Sequence, residues 1–265
     1  MIGSEEFAYA LDAMVCYGLA DLVYKRAAMA GVRVPQFLML QAWFFAPAVL
    51  TYALAKDELH VVPAAAWGAA AGLCIFIGFA NFAKSLRDGA ISVNAPIFRL
   101  SFTLTAALAV GVLGEPLGAF KLAGLALALL ATWLLLGGGN TAGVTRASLL
   151  QVLIATLSFG IAYFFYKLGV MHGALPATMV VSQAAVFFPL ATAWGWLEKR
   201  AFDPPPEAWP YAAGAALLLA IAFMLLATAL VHGQASVLVP VAQMGFVITA
   251  AAGIFLLGEA SSARK

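Results

Sequence analysis

Gly89-Ala-Ile-Ser-Val-Asn-Ala-Pro96 returns 144 residues later as Gly233-Gln-Ala-Ser-Val-Leu-Val-Pro240. The same offset carries Phe102, Thr105, Leu113, Gly114 and Glu115 onto Phe246, Thr249, Leu257, Gly258 and Glu259. Upstream, an offset of 142 takes Gly18, Tyr24, Lys25, Gln41, Phe45 and Pro47 onto Gly160, Tyr166, Lys167, Gln183, Phe187 and Pro189. The chain is therefore one unit written twice, which predicts a first repeat over residues 1–139 and a second over 147–265.

Composition says what the unit is made of. Hydrophobic residues make up 64% of the 265 and charged ones 10%, against roughly 25% charged in soluble domains. Mean hydropathy is +0.98. No soluble core hides that much apolar surface. Nine runs reach the roughly 20 residues that a membrane helix needs: 7–29, 34–54, 64–86, 91–113, 118–137, 147–170, 177–197, 208–231 and 235–257. Five fall in the first copy, and an odd number turns the second copy upside down. The fold class read here is an all-α integral membrane protein of two inverted five-helix repeats, the second lacking its last helix. Such repeats place a substrate site near the midplane, between halves that rock for alternating access.

Several classes drop out. The net charge of +2 is spread thinly, so no basic patch suits nucleic acid. Cys16 and Cys74 lie in separate apolar runs without metal-ligand spacing, and no cofactor is called for. His60, His172 and His232 fall near loops and form no catalytic set, so no enzyme is expected. The first apolar run follows Glu5 and Glu6 with no basic segment before it, and reads as a retained span.

The stretch 89–96, its long apolar helix, Leu113-Gly-Glu-Pro-Leu117 and Gly124 together resemble the EamA-type repeat of the drug/metabolite transporter superfamily. The echo at 233–240 and Leu257-Gly258-Glu259 doubles the resemblance. It implies ten helices, a central cavity lined by the first, third, fourth, sixth, eighth and ninth, and export of small metabolites or amino acids through a bacterial inner membrane. Small multidrug members carry a first-helix glutamate eight residues before a similarly placed lysine; aligned on Lys25, that position is Tyr17. After Glu259 only Ala-Ser-Ser-Ala-Arg-Lys265 follows. A shortened form with nine helices is expected, exposing a surface to which Gly245, Ala251 and Gly253 contribute.

The candidate site is a polar stripe on the two proline helices. Pro96 and Pro240 each free a backbone acceptor four residues back, at Ser92 and Ser236. Ser92, Pro96, Arg99 and Thr103 share one helical face; Ser236, Pro240 and Gln243 share its counterpart. Arg99 lies about 12 Å into its helix, close to the bilayer centre, where a charge costs about 2.5 to 3.5 kcal/mol and so usually marks function. A guanidinium there favours a carboxylate or phosphate substrate. The alternative is an internal ion pair with Asp21 or Glu115. Asp21 is also a coupling candidate, though Lys25 stands four residues on as an ion-pair partner. Tyr17, Tyr24, Tyr163, Phe76, Phe79 and Phe223 are candidate cavity aromatics. Glu115 reads as the cap of the helix it precedes, and Lys25 and Lys167 as snorkelling ends.

The function expected is a carrier for a small metabolite, amino acid or organic anion, with a lipid or lipid-linked flippase and a non-transporting scaffold as alternatives. Orientation stays open. The first half carries Lys25, Arg26, Arg33, Lys84 and Arg87 on one side and Lys56 and Lys121 on the other, placing the N-terminus outside. The family resemblance implies a cytoplasmic N-terminus.

Overall fold

A computed structural model describes residues 4–88, 91–136, 145–199, 204–245 and 247–248. All its elements are helices: α1 (Ser4–Met29), α2 (Val34–Ala55), α3 (Ala65–Asp88), α4 (Ile91–Arg99), α5 (Ser101–Leu113), α6 (Ala119–Leu136), α7 (Arg146–Met171), α8 (Pro176–Lys199), α9 (Ala208–His232) and α10 (Ala235–Gln243). Six, namely α1, α2, α3, α7, α8 and α9, are long and apolar enough to cross a bilayer. The chain is a multi-pass integral membrane protein.

Equivalent local devices recur in the two halves. At the end of α1, Gly31 turns left-handed at φ 77°, Val32 N donates to Ala27 O at 3.1 Å and Gly31 N to Ala28 O at 3.0 Å. At the end of α7, Gly173 does so at φ 91°, with Ala174 N to Gly169 O at 3.0 Å and Gly173 N to Val170 O at 3.2 Å. Both are left-handed glycine terminations of the kind that satisfy the last carbonyls of a helix. A Pro follows each, at Pro35 and Pro176, where the missing N–H costs nothing.

The run expected as one helix over 91–113 is broken at Leu100. There Leu100 N reaches back only three residues, to Ile97 O at 3.0 Å, and Thr103 N bonds Leu100 O at 2.9 Å. The counterpart α10 ends the same way, with Met244 N on Val241 O at 3.1 Å and Val247 N on Met244 O at 2.9 Å. In each, the residue just before the break is tied by its side chain to another helix, as described below.

Packing runs between halves as much as within them. The helix α3 lies on α7, α1 on α9, and α2 on α8. The last pair is antiparallel: Gln36, near the start of α2, donates to Gly195 O near the end of α8 at 2.7 Å. Thr178, near the start of α8, donates to Glu58 O just past the end of α2 at 2.6 Å. The second half of the broken span, α5, packs on α10, while α4 packs on α6 and α7.

Between helices in lipid there is no hydrophobic drive, so close backbone approach through small residues does the joining. Gly68-Ala-Ala-Ala-Gly72 is such a face. A Cβ on Gly72 would stand 2.4 Å from Gln183 O, and one on Gly68 2.5 Å from Met179 O. Gly18 fits against Gly245 O and Ile248 of the second half, and Gly160 against Ser101 O and Leu104 of the first. Gly245, expected on a bare surface, is instead buried on α1, because two glycines meeting there let the backbones touch. Ala251, Gly253 and residues 257–259 lie outside the described residues.

Gly72→Ala should lower stability by about 1–3 kcal/mol, since a methyl there meets a backbone carbonyl that cannot move aside. Gly124→Ala, with open space around it, should be neutral or slightly stabilising. Melting temperatures of the two variants in detergent check this, and equal shifts would refute the close packing.

Candidate functional site

The centre of the bundle is a ring of eight side chains from α2, α3, α8 and α9. Gln41, Phe45, Ile75 and Phe79 come from the first half; Gln183, Phe187, Leu219 and Phe223 come from the second. They are four matched pairs, the first two at the offset of 142 and the last two at 144. The space they enclose is about 10 Å³, room for about one water. The walls expected from the family resemblance differ in part: the second helix of each half joins the ring, drawn in by the bonds its glutamine makes.

Those bonds also come in matched pairs. Tyr24 OH donates to Gln41 Oε1, and Tyr166 OH to Gln183 Oε1. The same tyrosines stack on the ring phenylalanines of their own halves, Tyr24 on Phe79 with centroids 6.3 Å apart and Tyr166 on Phe223 at 5.9 Å. Buried phenols require a polar partner, and the carboxamide supplies it without introducing charge.

Arg99 at the end of α4 is ion-paired to Asp21 of α1. Of the two roles posed for Arg99, this is the internal pair, but it is not sealed: its side chain is 20% exposed and that of Asp21 31%. At the matching place in the second half, Gln243 at the end of α10 donates to Tyr163 OH of α7 at 2.6 Å. Asp21 corresponds to Tyr163 and Arg99 to Gln243. One half thus holds by charge the contact that the other holds by a neutral hydrogen bond.

The remaining candidates divide. Tyr17 is buried with its ring edge-on to Phe223 at 5.7 Å, and its hydroxyl has no well-formed hydrogen bond. The Thr103 hydroxyl is likewise buried and unpartnered among the described residues. Phe79 lines the ring and meets Phe159 edge-on at 4.9 Å. Phe76 packs against Phe187 and Trp194. Pro240 sits inside α10. Ser92 and Pro96 lie in α4, but their side chains are outside the described set.

Ser236 belongs to a different cluster. The Glu115 carboxylate accepts from Ala235 N at 2.8 Å, from Ser236 N at 2.9 Å and from the Ser236 hydroxyl. Glu115 therefore caps α10 of the opposite half and not the helix that follows it; two free amides and a positive helix end outbid the local position. Lys121 adds a contact to Ser236 Oγ at 3.1 Å. Lys167, expected to snorkel, is buried and donates to Leu230 O at 2.8 Å and Gly233 O at 2.7 Å, closing the last turn of α9. Carbonyls left open at a helix end in lipid make a better partner than distant water.

Gln41 and Gln183 are the site residues to which the sequence assigned no role. The available signal was their repetition: a carboxamide in mid-helix, at the same place in both halves, within an otherwise apolar run. A second, larger groove of about 730 Å³ opens outward between α2, α8 and α9, lined by Met39, Trp43, Phe188, Trp196 and Trp209 among others. It is almost wholly apolar and shares no residue with the ring.

The EamA-like transporter family matches the chain over residues 6–137 and 146–265. A solved structure described only as a crystal structure of a protein superposes with a TM-score of 0.79 at 16% identity, covering 98% of this chain and 91% of that one. At that identity the likeness speaks for the fold alone. No curated protein matches the chain.

Glu115→Ala should speed amide exchange over residues 233–238 at least about tenfold, because bonds to a charged acceptor contribute about 1.5–3 kcal/mol and a tenfold change needs only about 1.4. Unchanged exchange there, measured by mass spectrometry, would show that the cap contributes nothing.

Proposed function

The chain belongs to the EamA-like transporter family, and we propose that it is a carrier moving a small metabolite, amino acid or organic anion across the bilayer by alternating access, as an exporter in a bacterial inner membrane. The observation that carries this is the ring: a central site contributed equally by matched residues of both halves and closed to about 10 Å³. A site so placed opens to one face or the other when the halves rock, without either half supplying it alone.

The proposed repeats are residues 1–139 and 147–265, inverted with respect to each other. Their support is the antiparallel run of α2 along α8, since equivalent helices that run in opposite directions are related by an axis across the helices, not along them. Substrate contacts are assigned to Arg99, Gln243, Tyr17, Tyr163, Phe79 and Thr103, with Gln41 and Gln183 added. Ser236 and Pro240, on the same helix as Gln243, are included in the proposed set. The lipid flippase reading is disfavoured by the separation of the outer groove from the ring. A scaffold has no use for the two carboxamides, Gln41 and Gln183, that line its central cavity.

Proteoliposomes loaded with candidate solutes, assayed with and without a pH gradient, should show saturable flux for at least one. Gln41→Leu, nearly isosteric, should lower that flux about tenfold or more, equivalent to about 1.4 kcal/mol. Flux for no solute, or flux indifferent to Gln41→Leu, would remove the carrier or its site. Topology has its own check. Arg33 and Leu175 are exposed and equivalent. Single cysteines at these two positions should react with an impermeant maleimide from opposite sides of the membrane, and labelling from one side would end the inverted arrangement.

A further inference from the structure

Arg99 and Asp21 form an ion pair where the other half makes do with Gln243 and Tyr163. The comparison is internal to the molecule: equivalent helix positions and the same break after the donor residue. A neutral hydrogen bond suffices to hold α10 to α7. Charge at the matching place between α4 and α1 exceeds what the packing demands, and in a bilayer it adds a desolvation cost that the neutral pair avoids.

We infer that Asp21 is a tethered competitor for the Arg99 guanidinium, which an anionic group of the substrate displaces during transport. This rests on the carrier reading of the preceding subsection and assigns its substrate class: solutes with a carboxylate or a chemically similar anion. Three features support it. The pair is not sealed, with Arg99 20% and Asp21 31% exposed, so part of each charged group is left for another ligand to contact. A substrate carboxylate is chemically the same ligand as the Asp21 side chain, so one replaces the other with little change in the energy of the guanidinium. Finally, Lys25 lies one turn along α1 on the same face and keeps a second cation within reach of the displaced Asp21. The residue before Arg99, Phe98, stacks on Phe82 at 4.2 Å and meets Phe159 at 4.9 Å, so the chain around the pair is aromatic and favours an apolar or aromatic body on that anion.

The exchange gives the carrier a built-in counter-ion. With no substrate bound, Asp21 neutralises Arg99 and an empty site does not stand as a bare charge in the membrane. With substrate bound, the solute's own anion takes that place. A neutral analogue of the same shape offers the guanidinium nothing that Asp21 does not already supply, so it is discriminated against by competition within the protein.

Benzoate and benzamide, equal in size and differing in charge, are the probes. Equilibrium binding of radiolabelled benzoate and benzamide to the purified full-length chain should show benzoate preferred. Asp21→Asn should tighten benzoate binding about tenfold while leaving benzamide unchanged, since it removes the competitor and leaves the cation. Arg99→Gln should abolish the preference. The double variant Asp21→Tyr with Arg99→Gln installs the pair that the second half already uses; it should keep the wild-type melting temperature and bind the two probes alike. Should Asp21→Asn fail to fold, Asp21→Tyr alone carries the same expectation. Benzoate bound no tighter after loss of Asp21, or no preference for benzoate in any form, overturns the inference, while continued benzamide flux in proteoliposomes would keep the carrier reading alive. Conversely, an Asp21-dependent benzoate preference without flux of any solute would sink the carrier reading and leave the competitor in place.

Discussion

The antiparallel register of α2 on α8 is the contact on which the rest of the molecule depends. Gln36 on Gly195 O and Thr178 on Glu58 O pin the two helices at both ends. Between those pins Phe45 and Phe187 come to the same level, and Gln41 and Gln183 are set one turn to either side. A one-residue slip would rotate each glutamine by about 100° and take it out of reach of its tyrosine. Because α1 follows α2 through Tyr24 and Gln41, and α7 follows α8 through Tyr166 and Gln183, the register spreads outward to four helices.

Hydrocarbon imposes the second rule. No water satisfies an orphaned donor or acceptor there, so each irregularity has to be answered from within the protein. The ends of α9 and α10 are answered by Lys167 and Glu115, both from other helices or loops. The carbonyl of Ile97, next to the break at Leu100, receives the Thr156 hydroxyl of α7 at 3.1 Å. Thr105 reaches Gly160 O at 2.9 Å, at the point where a glycine lets α5 touch α7. Polar groups in this chain act as fasteners between helices more than as fasteners within them.

Much of this architecture was legible in the sequence. Apolar runs of about 20 residues announce helices with little competition, and the offsets of 142 and 144 residues carry α1 to α4 onto α7 to α10. What the sequence hides is which helix an end or a side chain meets. Glu115 beside Pro116 looks like a local cap, and nothing nearby reveals that the amides of Ala235 and Ser236 compete for it. Lys167 looks like a snorkelling end because its acceptors lie 63 and 66 residues away. The break at Leu100 was hidden for a related reason. Proline disturbs the turn before it, whereas the break follows Arg99, the residue tied to Asp21, and in α10 follows Gln243, the residue tied to Tyr163. Arg99 and Asp21 were each visible as charges in apolar runs; their partnership was one of several that the sequence allowed.

The volume of the ring has a bearing on the membrane the protein sits in. A space of about 10 Å³ admits about one water, and a single water between phenylalanine faces has no neighbours with which to form a file. Protons travel along hydrogen-bonded chains and ions travel with their hydration shells, and a space of one water accommodates neither. A membrane that stores energy as an ion gradient can hold a centre of this size without a continuous file of water across it. The edge-on contacts of Phe45 with Phe223 and of Phe79 with Phe187 thus bear on leakage as well as on packing.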